Sequence, residues 1–173
     1  MADPRTIREM AERSIQLLAL KPSRGHLTCT SRARLVAGLR CEIVEGPWKL
    51  AADMPAKVGG DETAPTPGVL GRAALASCLV IGITTWAARL GVPIEGVEVE
   101  VQADFNARGE LGMGQGIPPG YKEVRYSVAI KSEAPRHLLD EVQELAERHS
   151  PYLDVFGRAI ALRRVPGPIH AEA

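Results

Sequence analysis

Cys78 lies within residues 73–88, AALASCLVIGITTWAA, the longest charge-free run in the chain, fenced by Arg72 and Arg89. A cysteine does chemistry as its thiolate, which requires a cation or hydrogen-bond donor beside it and access for a reactant. Without them, a cysteine among Leu75, Leu79 and Ile81 is a small buried hydrophobe, and spacing alone leaves both readings open. Cys29 in LTCTS and Cys41 in LRCEI fall in alternating stretches and read as sheet residues. His26, His137, His149 and His170 are scattered, and none shares a helical spacing with a second good ligand, so no metal site is expected. Residues 112–116, GMGQG, are followed by Ile117, Pro118 and Pro119 where a phosphate loop needs a helix to begin. No GxSxG elbow is present to anchor serine hydrolysis.

Composition narrows the remaining classes. Basic and acidic residues both total 21, so the chain has no large field to attract nucleic acid or anionic lipid. Aromatic residues make up 4% of the chain, and stacking on bases is a poor expectation. The charge-free run of sixteen residues falls short of the roughly 20 that span a bilayer, so no membrane role is expected. The N-terminal MADPRTIREMAERS lacks the apolar stretch of a secretory signal, which points to the cytoplasm. Three cysteines without a CxxC pair argue against a disulfide scaffold and leave at least one thiol free. A chain of 173 residues suits one domain, 1–173, with an N-terminal helix over 1–22 and a tail over 166–173.

The elements that must position these groups follow from periodicity. Asp3 before Pro4 is a helix start, and Ile7, Met10, Ala11, Ser14, Leu17 and Leu18 share one face until Lys21 and Pro22 close it. Residues 27–53 alternate in three short runs, predicting three antiparallel strands. A loop rich in proline and glycine over 54–67 leads to a helix over 68–90 that stops at Gly91. Along that helix Gly71, Ala74, Cys78, Gly82 and Thr85 form a stripe of small residues, so another backbone, from this chain or a partner, can approach closely. Strict alternation over 97–106 and 124–130 predicts two strands joined by the glycine-rich segment 109–120. Pro135 opens an amphipathic helix through His149, and RAIALRRV reads as a last strand.

In their joint order, several pieces resemble the OsmC/Ohr superfamily. They are Pro55 with Gly59-Gly60, then Pro65-Thr66-Pro67, then ALASC ending at Cys78, then Gly91 leading into EGVEVEV. Ala146-Glu147-Arg148-His149-Ser150-Pro151 resembles that family's second signature, and the likeness covers about residues 27–165. The resemblance implies an α+β fold with two long central helices and antiparallel sheets, made as an intertwined homodimer with active sites at the interface. It also implies a thiol peroxidase that acts on organic hydroperoxides or hydrogen peroxide, draws on a thiol or dithiol reductant, and holds no cofactor or metal. By the same likeness Cys78 takes the peroxidatic position, Ser150 stands where a resolving cysteine would lie, and the family arginine maps to Arg40, with Arg34 as alternative. Gly68 stands where the Ohr branch carries an orienting glutamate, a role that Asp61 or Glu62 could assume.

His149, at the end of its helix, reads either as a cation for the thiolate or as a capping residue packed on the core. Ser150-Pro151 reads as a helix stop. Two functions follow: a one-cysteine peroxide reductase resolved by an external thiol in oxidative stress defence, or a relative without turnover that binds a small apolar ligand at the dimer interface.

Overall fold

The computed structural model describes residues 3–166; His170 and most of the tail over 166–173 lie outside them. Helix α1, Pro4–Leu20, starts as its sequence dictates: the Asp3 carboxylate accepts from the Thr6 amide, and proline occupies the first turn. It packs along α2, but only Ile7 and Ala11 are half-buried, so its apolar face is covered much less than the periodicity implies. Strands β1, Arg32–Ala37, β2, Arg40–Glu45, and β3, Trp48–Ala52, form an antiparallel sheet in chain order. Gly38 and Gly46 make the tight turns with positive φ, a conformation glycine adopts without strain.

Helix α2, Pro67–Leu90, is capped by the Thr66 hydroxyl and ends on Gly91 in the left-handed conformation. Strands β4, Gly96–Phe105, and β5, Tyr121–Lys131, form a separate antiparallel hairpin that pairs Gly96 with Lys131 and Val99 with Val128. Their connection contains one short helix, α3, Ala107–Glu110. Helix α4, Arg136–Arg148, and helix α5, Pro151–Gly157, complete the described structure. The fold is α+β, with α2 and α4 laid on one face of the β4–β5 hairpin.

The buried core is Ile83, Ala87, Val92, Val142 and Ala146, with Val97, Val99, Val128 and Ile130 of the hairpin packed against it. At Gly82 the helices α2 and α4 lie close together, for a Cβ there would stand 3.8 Å from that of Ala146. The small-residue stripe therefore faces α4 of the same chain at that level. By length and composition α2 could cross a bilayer, but one side of it is packed on α1, α4 and β4.

Besides the thin cover of α1, other features differ from the sequence expectation, among them helix α5, which follows the stop at Ser150-Pro151. Residues 158–166 form no strand, and Leu162 is 94% exposed. An alternating segment becomes a strand only by pairing with an edge, and among the described residues the segment pairs with none. Among the described residues no helix packs across the β1–β3 sheet, leaving β1 exposed along its length, with Leu35 72% exposed.

Candidate functional site

Cys78 projects from the middle of α2, half-buried, between the core residues Leu75 and Leu79. Its nearest polar partner is Ser150: Sγ and Oγ are 3.5 Å apart. Two facts of local sequence bring the serine there. Helix α4 stops at Arg148 because Pro151 disfavours helical geometry in the residue before it, and Pro151 then opens α5. Ser150 is the N-cap of α5, accepting from the Leu153 amide at 3.3 Å, and is itself buried. Its oxygen thus accepts from one side while its hydroxyl proton remains available to the sulfur. Toward a thiol either group can donate; toward a thiolate only the serine can. Cys29 is exposed, and Cys41 is half-buried in β2, where Cys41 pairs with Ala52.

Arg40 is built into a different network. Its guanidinium donates to the Thr63 hydroxyl at 2.7 Å, and that hydroxyl donates to the Asp53 carboxylate at 2.7 Å. Asp53 is 1% exposed and also accepts from the backbone amides of Thr63 and Met54. These bonds to the ionised form, the Thr63 amide and hydroxyl foremost, hold its carboxyl below the usual value of 3.8. The carboxylate that orients Arg40 is therefore Asp53, acting through Thr63. Glu62 accepts from the Ala56 amide instead, and Asp61 makes no hydrogen bond to Arg40. Arg34 is paired with Glu42 on the open surface of the sheet.

His149 stacks on Trp86, ring centroids 5.3 Å apart, and Arg89 covers that indole at 3.8 Å. Trp86 and Arg89 lie further along α2 than Cys78, His149 caps the end of α4 beside Ser150, and among the described residues no hydrogen bond joins either His149 or Arg40 to the sulfur. Of the four sequence-derived residues, the structure brings Cys78 and Ser150 together and holds the other two on separate supports. Sequence reasoning missed Asp53, Thr63, Tyr121 and Arg72. The Tyr121 hydroxyl donates to the Gly68 carbonyl at 3.0 Å and accepts from Arg72 at 3.2 Å, closing the first turn of α2 against β5. Only the aspartate left a signal, an acidic residue ending an apolar strand before a proline-rich loop. Among the described residues no cluster of three or more His, Cys, Asp or Glu could hold a metal.

This combination of an α2 cysteine, a hairpin beneath two long helices and an SP helix junction defines an OsmC-type protein, and the sequence model of the OsmC-like protein family matches residues 59–163. The chain belongs to the OsmC-like family. Solved structures with the same fold include an OsmC-like protein of Mycoplasma pneumoniae, TM-score 0.64 at 13% identity, covering 76% of this chain and 88% of that one. An organic hydroperoxide resistance protein OsmC from Legionella pneumophila aligns with a TM-score of 0.56 at 20% identity over 75% of this chain and 89% of that one. An organic hydroperoxide resistance protein of Elizabethkingia anophelis with thiocyanate bound aligns with a TM-score of 0.55 at 16% identity over 75% and 88%. No curated protein matches the sequence.

Proposed function

We propose that this protein is a one-cysteine peroxidase of the OsmC-like family, reducing organic hydroperoxides or hydrogen peroxide in oxidative stress defence. The observation that carries the reading is the 3.5 Å contact between Cys78 Sγ and the hydroxyl of Ser150, whose other side is held by the Leu153 amide. In the reaction, the Cys78 thiolate bonds to one peroxide oxygen as the O–O bond breaks. The alkoxide or hydroxide leaves, takes up a proton, and Cys78 becomes a sulfenic acid, oxidised by two electrons. Ser150 cannot form a disulfide, so an external thiol condenses with the sulfenic acid and releases water. A second thiol then reduces the mixed disulfide and returns Cys78. No cofactor enters any step.

Arg40 is the arginine we assign to the peroxide, because Arg34 is already neutralised by Glu42. His149 serves the Trp86 stack, outside the reacting atoms. The functional unit is a homodimer of single-domain chains in the cytoplasm. The open face of the β1–β3 sheet and the exposed α2 residues Val69 and Ile81 supply the apolar surface that a second copy covers. A relative without turnover that binds a small apolar ligand at the dimer interface is the competing reading, favoured by glycine at position 68 and by serine in place of a thiol at position 150. Peroxide consumption with a dithiol decides between them: the wild type turns over cumene hydroperoxide and Cys78→Ser does not. Equal consumption by both proteins, or by neither, ends the peroxidase reading.

A further inference from the structure

Ser150 serves the Cys78 sulfur only while the α4–α5 joint keeps its place along α2. Its cap bond to the Leu153 amide fixes the hydroxyl relative to α5 alone, and a joint displaced by about 1 Å would break the 3.5 Å contact to the sulfur. Two facing rows set the register. Cys78, Gly82 and Trp86, four residues apart, lie along one side of α2, while His149 and Ser150 follow Ala146 by three and four residues across the end of α4. The rows meet in order: Ser150 against Cys78, Ala146 over Gly82, His149 against Trp86.

At Gly82 a bare backbone faces the Ala146 methyl, which sets how far apart the helices lie but has no projection to resist sliding. The stack does resist it. The His149 and Trp86 rings lie 25° from parallel with centroids 5.3 Å apart, and the Arg89 guanidinium, 3.8 Å from the indole centroid, restrains that ring by a cation–π contact. Trp86 is half-buried and packs on the core, whereas His149 is exposed, so the ring face is what ties the histidine down. Among the described residues no hydrogen bond uses a ring nitrogen of His149.

We propose that His149 and Trp86 are positioning residues: their stack sets the register of the α4–α5 joint on α2 and so keeps the Ser150 hydroxyl on the Cys78 sulfur. The role in turnover rests on the peroxidase reading, whereas the state of the sulfur can be read without peroxide. Iodoacetamide alkylation of Cys78 in the full chain, located by mass, reports the thiolate. His149→Ala should slow it at pH 7 by about three- to tenfold, because lost thiolate is partly offset by the greater nucleophilicity of what remains. That deficit should vanish by about pH 10, where a thiol is ionised with or without the serine. His149→Phe, which keeps a ring face without charge or nitrogens, should stay within about twofold of the wild type, and Trp86→Ala should match His149→Ala. In a Ser150→Ala background His149→Ala should change the rate by less than about twofold, since the route through the hydroxyl is already gone. Should Trp86→Ala fold poorly, the variants of the exposed His149 still decide. Slowing by His149→Phe equal to that by His149→Ala would assign the effect to the imidazole itself and overturn the proposal. An unchanged rate in His149→Ala, a deficit that persists to pH 10, or an undiminished effect in the Ser150→Ala background overturns it as well. A wild type that consumes no peroxide ends the peroxidase reading alone, and the alkylation rates still decide the stack.

Discussion

Replacing Ser150 by cysteine should turn a one-cysteine site into a disulfide, and the geometry sets the size of the effect. Ser150 Oγ is 3.5 Å from Cys78 Sγ, and a disulfide bond is about 2.05 Å, so about 1.5 Å of closure is needed. The longer C–S bond covers part of that. The bridge would join residues 72 apart in sequence, for which loop-closure entropy gives an upper bound of roughly 4 kcal/mol. In the reduced variant the hydroxyl cap of α5 is lost, at a cost of about 1 kcal/mol. Reduced S150C should therefore melt below the wild type. Oxidation by one equivalent of hydrogen peroxide should raise its Tm by several degrees, up to roughly 8–16 °C at the entropic bound. Thiol titration in denaturant should find four free thiols before oxidation and two after it, the survivors being Cys29 and Cys41. Four thiols after peroxide, or a bridge made to Cys41 or Cys29, would refute the placement of Ser150 beside Cys78.

Ser150→Ala removes both the donor and the cap; peroxide reduction, followed by stopped flow, should slow by roughly ten- to a hundredfold, the scale of a hydrogen bond to a charged group. Asp53 has a depressed folded pKa, so its stabilisation is complete above the ordinary carboxylate value and is lost as pH falls through and below about 3.9. In acid denaturation monitored by circular dichroism, Asp53→Asn should be less stable at neutral pH and lose less stability below pH 4 than the wild type does. Gly60→Ala should destabilise the fold by roughly 3 kcal/mol or more in urea melts, because a Cβ at Gly60 would fall within the Met54 carbonyl group. A neutral Gly60→Ala would contradict the loop path that sets Thr63 against Asp53.

The elements that periodicity governs were legible in the sequence. Asp3 with Pro4, Gly91 after α2, and the alternation of Val97 to Phe105 each state a local rule that the structure obeys. The RAIALRRV segment obeyed a local rule as well, but a strand depends on an edge beyond its own sequence, and residues 158–166 pair with none among the described residues. Burial on α1 failed for a related reason, since hydrophobic spacing names a face without naming what covers it. At the site, Cys78 and Ser150 came from a motif that spans 72 residues of separation, and packing of α2 on α4 makes them neighbours. The network that holds Arg40 was not legible. Asp53 lies 13 positions further along the chain, and Thr63 bridges the two only because the loop folds back under β3. Tyr121 and Arg72 carried no local pattern at all; 49 residues separate them, and their contact exists only once the first residue of β5 meets the start of α2.

The central claim is that the sulfur of Cys78, beside the Ser150 hydroxyl, attacks peroxide. Treating reduced protein with cumene hydroperoxide in the presence of dimedone and locating the adduct by mass tests this directly. Adduct confined to Cys78 and formed within seconds is expected. Equal labelling at Cys29 or Cys41, or no labelling, would contradict it.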